Sequence, residues 1–187
     1  MKRKKSSDVA IIAIFFAIML VIHFLSSLVF NLWPVPIRPT IVHIPVIIAS
    51  IIYGPRIGAT LGGLMGLLSL IVNTTVLMPS SYLFSPFVEN GNLASLVIAF
   101  LPRILIGIFP YYIAKWIHGK FGLALAGAVG SATNNIFVLL GIYIFFGSFY
   151  GNDFKNVLAV ILSANSLVEL IISVILTVAI VPVLKRR

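Results

Sequence analysis

Five stretches of this chain each run for twenty or more residues with scarcely a charged side chain, and no other feature limits its folding so severely. The hydrocarbon core of a bilayer is about 30 Å thick and a helix rises about 1.5 Å per residue, so about 20 apolar residues cross it once. Residues 9–30, 57–77, 93–116, 121–146 and 157–184 meet that length. In lipid each backbone N–H and C=O must be satisfied within the protein, which makes these runs helices. A sixth run, 40–53, is shorter; it carries Pro45 near its start and follows the turn-rich Trp33-Pro34-Val35-Pro36-Ile37-Arg38-Pro39. The expectation is an all-α polytopic membrane protein, one integral-membrane domain over residues 1–187 with six transmembrane helices.

Composition closes off the soluble alternative. The chain is 60% hydrophobic and 9% charged, and thirteen basic with four acidic side chains cannot cover the outside of a soluble domain of 187 residues. The net charge of +9 does not imply nucleic acid, because seven of the thirteen basic residues sit in Lys2-Arg3-Lys4-Lys5 and Lys185-Arg186-Arg187, each beside an apolar run. These read as membrane anchors, and there is no basic stripe interleaved with aromatics. The 9–30 run exceeds the roughly 7–15 residues of a signal-peptide core, so it is read as a retained first helix.

Basic residues also set the expected orientation, since Lys and Arg in short loops stay on the cytoplasmic side. With the N-terminus inside, Lys2, Arg3, Lys4, Lys5, Arg56, Lys115, Lys120, Lys185, Arg186 and Arg187 lie inside, Arg38 and Lys155 outside, and Arg103 within a span. Both termini are therefore expected in the cytoplasm. The outer loops, 31–39, 78–92 and 147–156, are longer than the inner turns and rich in Pro, Ser, Asn and aromatics, which places the expected entrance on the outside.

Four groups of residues bear on function. Ala13-x-x-x-Ala17, extended by Ala10, forms a small-residue strip on the first helix, suited either to internal packing or to docking a partner subunit. Gly58, Gly62 and Gly66 recur every four residues, continued by Ser69 and Asn73, and are expected to pack internally. Arg103 lies about ten residues inside its span, where a lone cation costs at least a few kcal/mol and must face a partner, water or a ligand. At a similar depth come Asn165 and Glu169, with Ser166 and Ser173 nearby, and Ser131, Thr133, Asn134 and Asn135.

Two readings of that polar level stand: an Arg103–Glu169 ion pair sealing the bundle, or a ligand pocket in which Arg103 takes an anionic or carbonyl group and the amides take hydroxyl or amide groups. His23 and His43 suit either further pocket donors or singly satisfied histidines, while Trp33, Tyr82, Phe84 and Phe87 suit either a lid or interface anchoring. Neither of those histidines has another histidine or a carboxylate at i+3 or i+4, and cysteine is absent, so no metal site is expected. Nor is a cofactor or a catalytic residue expected: there is no phosphate loop for ATP and no serine–lysine or paired-aspartate signature.

These residues resemble the substrate-binding S components of energy-coupling-factor (ECF) vitamin transporters. The likeness rests on six spans within 187 residues, the basic N-terminus, Ala13-x-x-x-Ala17, and a proline-rich first outer loop leading into a short second helix. It implies a multi-pass protein of a bacterial-type cell membrane, partnered by a transmembrane scaffold subunit and two cytoplasmic ATPase subunits, with Ala10, Ala13 and Ala17 docking on the scaffold. Within the family, Val42-His43-Ile44-Pro45, Gly54-Pro55-Arg56-Ile57-Gly58-Ala59, Phe100-Leu101-Pro102-Arg103-Ile104-Leu105-Ile106-Gly107 and Ser131-Ala132-Thr133-Asn134-Asn135 look like the pantothenate group. The expected substrate-binding residues are Arg103, Asn134, Asn135, Asn165, Glu169, His43 and Asn73. Hydroxymethylpyrimidine, riboflavin and folate stand as alternative ligands, and a self-sufficient secondary transporter or channel as an alternative function.

Overall fold

The computed structural model describes residues 5–32, 41–150 and 165–185. Its elements are all helical: α1 (Lys5–Leu32), α2 (His43–Tyr53), α3 (Pro55–Thr75), a short 3-10 turn (Ser81–Leu83), α4 (Leu93–Ile106), α5 (Phe109–Trp116), α6 (Gly119–Tyr150) and α7 (Asn165–Lys185). Five helical segments are long and apolar enough to cross a membrane, α4 and α5 together counting as one, and α2 is a shorter apolar helix. Residues 33–39 of the expected outer loop 31–39, residues 151–156 of the loop 147–156 and the start of the last span, 157–164, lie outside the described residues.

The short second helix has a physical reason. From His43 to Ile51 every residue of α2 is buried, so it is lined all round by protein and does not have to match the thickness of lipid. It forms the axis of the main core, where Val46, Ile47 and Ala49 meet Met19 of α1, Leu61 of α3, Ile106 of α4 and Val181 of α7. α1 is the opposite case. Val9, Ile14, Val21 and Phe24 stay exposed along it, the surface that lipid or another protein would cover.

Two joints differ in kind. α2 and α3 are separated by Gly54 alone, at φ 105°, a left-handed conformation that side chains rarely adopt, and Pro55 follows within the first turn of α3. The fourth span is interrupted where one continuous helix over 93–116 is expected: α4 stops at Ile106 and α5 begins at Phe109. Pro110 accounts for the break, because it has no N–H for Ile106 O and its ring would press on that carbonyl. The chain closes the gap with tighter bonds, Gly107 N to Ile104 O and Ile108 N to Leu105 O, both 3.0 Å.

The glycine stripe of α3 packs internally, as its spacing predicts. A Cβ on Gly62 would collide with the backbone carbonyl of Arg103, one on Gly58 with Gly107, and one on Gly66 would come within 2.9 Å of Ala99 O. α3 therefore lies backbone to backbone along α4, with its tightest approaches at Gly107 and at the residue that carries the buried cation.

Candidate functional site

Arg103 owes its posture to the residue before it. In an α-helix the carbonyl of Ile98 accepts a hydrogen bond from the N–H of residue 102, but that residue is a proline and has none. The orphaned carbonyl is taken instead by the arginine itself, whose Nη1 donates to Ile98 O at 2.6 Å. The guanidinium is thus tied back along its own helix. It is 8% exposed, and its Nε has no hydrogen-bond partner among the described residues. One donor of five is used by this bond, so the group retains capacity to bind.

The face that Arg103 presents lines a cavity of about 250 Å³, together with His23 of α1, Ser69 and Asn73 of α3, and Phe84. Ligand pockets run to roughly 300–1,000 Å³, so this one suits a small molecule. Asn73 is held by its own Nδ2, which donates to Ser69 O at 2.8 Å. Val42, Met65 and Val72 supply apolar wall. The mixture of one cation, an amide, a hydroxyl and an imidazole among apolar groups matches a short polar molecule bearing an acid.

Phe84 belongs to the segment between α3 and α4, and that segment is folded down onto the helices. Ser95 Oγ donates to Tyr82 O at 2.6 Å, and the hydroxyls of Thr74 and Ser85 are 2.7 Å apart. Leu83 is buried with Ile98, Ile142 and Phe146, and the Tyr82 ring stands edge-on to Phe146 with centroids 5.6 Å apart. Anchored in this way, the Phe84 ring lies 5.0 Å from the guanidinium carbon of Arg103, a cation–π contact. Among the outer aromatics Phe84 is a wall of the cavity, Tyr82 packs inward, and Phe87 is exposed; Trp33 lies outside the described residues.

The other expected ligand residues divide. Arg103 and Asn73 come together on the cavity, joined by His23. His43 is fully buried in the core, and His43, Asn134, Asn135 and Glu169 are not among the lining residues. Asn135 is half-buried, and the side chain of Asn165 lies outside the described ones. Asn134 lies buried on α6, a helix that also packs against a polar row on α7. Glu169, Ser173 and Thr177, one turn apart on α7, are all buried, and Ser173 Oγ donates to Gly127 O of α6 at 2.9 Å. Asn134 Oδ1, Ser131 Oγ and Thr177 Oγ1 have no hydrogen-bond partner among the described residues.

Ser69 escaped the sequence reading as a pocket residue, although its place one turn before Asn73 was visible. The pairing of Pro102 with Arg103 was a second available signal, since a proline inside a helix always leaves a carbonyl to be answered. Ala10, Ala13 and Ala17 are exposed on α1. The small-residue strip is therefore not consumed by packing among the described residues.

Comparison with known proteins agrees with this architecture. The family described as "ECF transporter, substrate-specific component" matches residues 7–181. A relative named "Pantothenic acid transporter PanT", from Lactococcus lactis subsp. cremoris, is 49% identical over 191 residues, spanning 100% of this chain and 97% of that protein. Another, "Pantothenate transporter PanT" from Leuconostoc mesenteroides subsp. mesenteroides, is 31% identical over 212 residues, 100% of this chain and 98% of its own length. A bundle with five helical segments able to cross a membrane and a family match over residues 7–181 leave one assignment: this chain belongs to the substrate-specific components of ECF transporters.

Proposed function

We propose that the cavity at Arg103 is the substrate site and that its substrate is pantothenate, taken up from outside a bacterial-type cell membrane. The observation that carries this reading is a buried guanidinium with unused donors on a cavity wall, in a chain 49% identical to a pantothenic acid transporter. Pantothenate offers one carboxylate, one amide and two hydroxyls. Arg103 grips the carboxylate, and Asn73, Ser69 and His23 answer the remaining polar groups, with Phe84 closing over the cation. With both termini cytoplasmic, the cavity lies in the outer half of the bundle. Energy comes from partners: a scaffold subunit seated on Ala10, Ala13 and Ala17, and two ATPases below it. The exposure of those alanines supports the docking role.

Calorimetric titration of the purified chain in detergent or nanodiscs tests the assignment. One equivalent of pantothenate is expected to bind, and riboflavin, folate and hydroxymethylpyrimidine to leave no heat. Binding of one of those three with none of pantothenate would reject the substrate, and pantothenate uptake by vesicles containing this chain alone would reject the need for partners.

Pro102→Ala probes the tether. The new N–H would close on Ile98 O and release the guanidinium, while removing a proline from a helix interior. The melting temperature is expected to rise and pantothenate affinity to fall by about 5- to 30-fold, because re-ordering an arginine costs on the order of 1–2 kcal/mol. An unchanged affinity, measured in the same titration, would mean that the tether does not serve binding.

A further inference from the structure

A second hollow, of about 230 Å³, lies between α4 and α6, and every residue that lines it is apolar. Its floor is a glycine: a Cβ on Gly141 would come within 2.8 Å of Ile98 Cγ1, so the two helices touch there and the larger side chains around that point stand up as walls. α4 and α6 belong to successive crossings and run antiparallel. Val97 with Phe145 therefore marks one end of the hollow, and Pro102 with Phe137 the other. At the second end the Phe137 ring is tilted against Phe109, with centroids 6.4 Å apart. Val97, Leu101, Leu140 and Ile144 are all exposed, so the hollow opens on the outside of the bundle and not toward its centre.

Both walls belong to segments able to cross a membrane. Val97 and Pro102 follow Leu93, the first residue of α4, by four and nine positions, about 6 and 14 Å along the helix axis. That depth is hydrocarbon of a single leaflet. Water finds no polar partner in such a lining, and an empty space would forfeit the dispersion contacts of its walls. A helix, about 10–12 Å across with its side chains, is too broad to enter. α1, the proposed scaffold face, has α2 and α3 as its main neighbours, so a scaffold seated there leaves the hollow open. We propose that it seats one acyl chain of a phospholipid from the leaflet at the Leu93 end, held between α4 and α6 instead of exchanging freely with bulk lipid. Ile98 and Pro102 line this seat, and Ile98 O is also the acceptor for Arg103 Nη1. The acyl chain thus lies behind the turn that holds the guanidinium, and the seat is independent of what fills the Arg103 cavity.

The test is photo-crosslinking of the full chain in phosphatidylcholine nanodiscs that contain a small fraction of phosphatidylcholine with a diazirine midway along one acyl chain, the labelled positions being mapped by peptide mass spectrometry. Leu67 is the internal control. It is as exposed as Val97, and its neighbour Gly66 faces Ala99, which puts it at matched depth. Labelling of Leu101, Phe137 and Leu140 is expected to exceed that of Leu67 by at least about threefold, a modest preference on a scale where tenfold is about 1.4 kcal/mol. Val97→Trp fills the mouth from an exposed position and is expected to bring Leu101 and Phe137 down to the level of Leu67, whereas Leu67→Trp leaves them unchanged. Leu140→Trp, also at an exposed wall residue, serves the same purpose if the first variant does not elute as a single species. Equal labelling of the hollow and Leu67 would reduce the lipid to ordinary boundary lipid and overturn the seat, as would strong labelling that survives both filling variants. Labelling that vanishes when the chain is assembled into the whole transporter would give the hollow to a partner subunit instead.

Discussion

Replacing Arg103 by alanine is expected to cost about 1.5–3 kcal/mol of pantothenate binding, the worth of a hydrogen bond to a charged group, and each 1.4 kcal/mol is tenfold in Kd. The change also frees Ile98 O, so affinity has to be read beside a fold control. Helical circular dichroism and a monodisperse elution profile are expected to persist, because the main core around α2 does not include Arg103. Arg103→Lys is the gentler variant. It keeps the charge but loses the planar fork that grips a carboxylate bidentately, and affinity is expected between those of wild type and alanine. An alanine variant that binds as tightly as wild type would dismiss Arg103 from the site.

Ala13→Trp should do the reverse. Ala13 is exposed on α1, so an indole there meets nothing within the chain, and pantothenate binding by the isolated protein is expected to stay within about twofold, as for a surface substitution. Close approach of another helix would be blocked, because small residues are what allow backbones to near one another in lipid. Pantothenate uptake by cells or vesicles carrying the whole transporter is expected to fall to background. Normal uptake would move the docking face elsewhere.

What could be read beforehand was position along each helix; what could not was rotation about it. The long spans, the internal role of the glycine stripe and the importance of Arg103 follow from apolar length, spacing and the cost of a buried charge. Counting residues inward puts Arg103, Asn134 and Asn165 at one level. It could not say that Arg103 turns toward a cavity whose lining lacks Asn134 and Glu169, since the rotation of a helix is decided by its neighbours. His43 shows the same limit: a histidine near a helix end suits a pocket donor or a satisfied core group, and only the enclosure of α2 on all sides places it away from the lining of the Arg103 cavity. The position of Phe84 depends on bonds such as Ser95 to Tyr82, which no local pattern announces. The break before α5 was legible in Gly107 and Pro110, but the apolar run through them masked it.

The bond from Arg103 to Ile98 has one more consequence. An untethered arginine samples many rotamers, and freezing it opposes whatever event does the freezing. Here the freezing accompanies helix formation, because a proline one residue earlier leaves a carbonyl waiting. Conformational entropy is thereby lost when the bundle assembles and not when a vitamin arrives, so the site meets its guest already ordered.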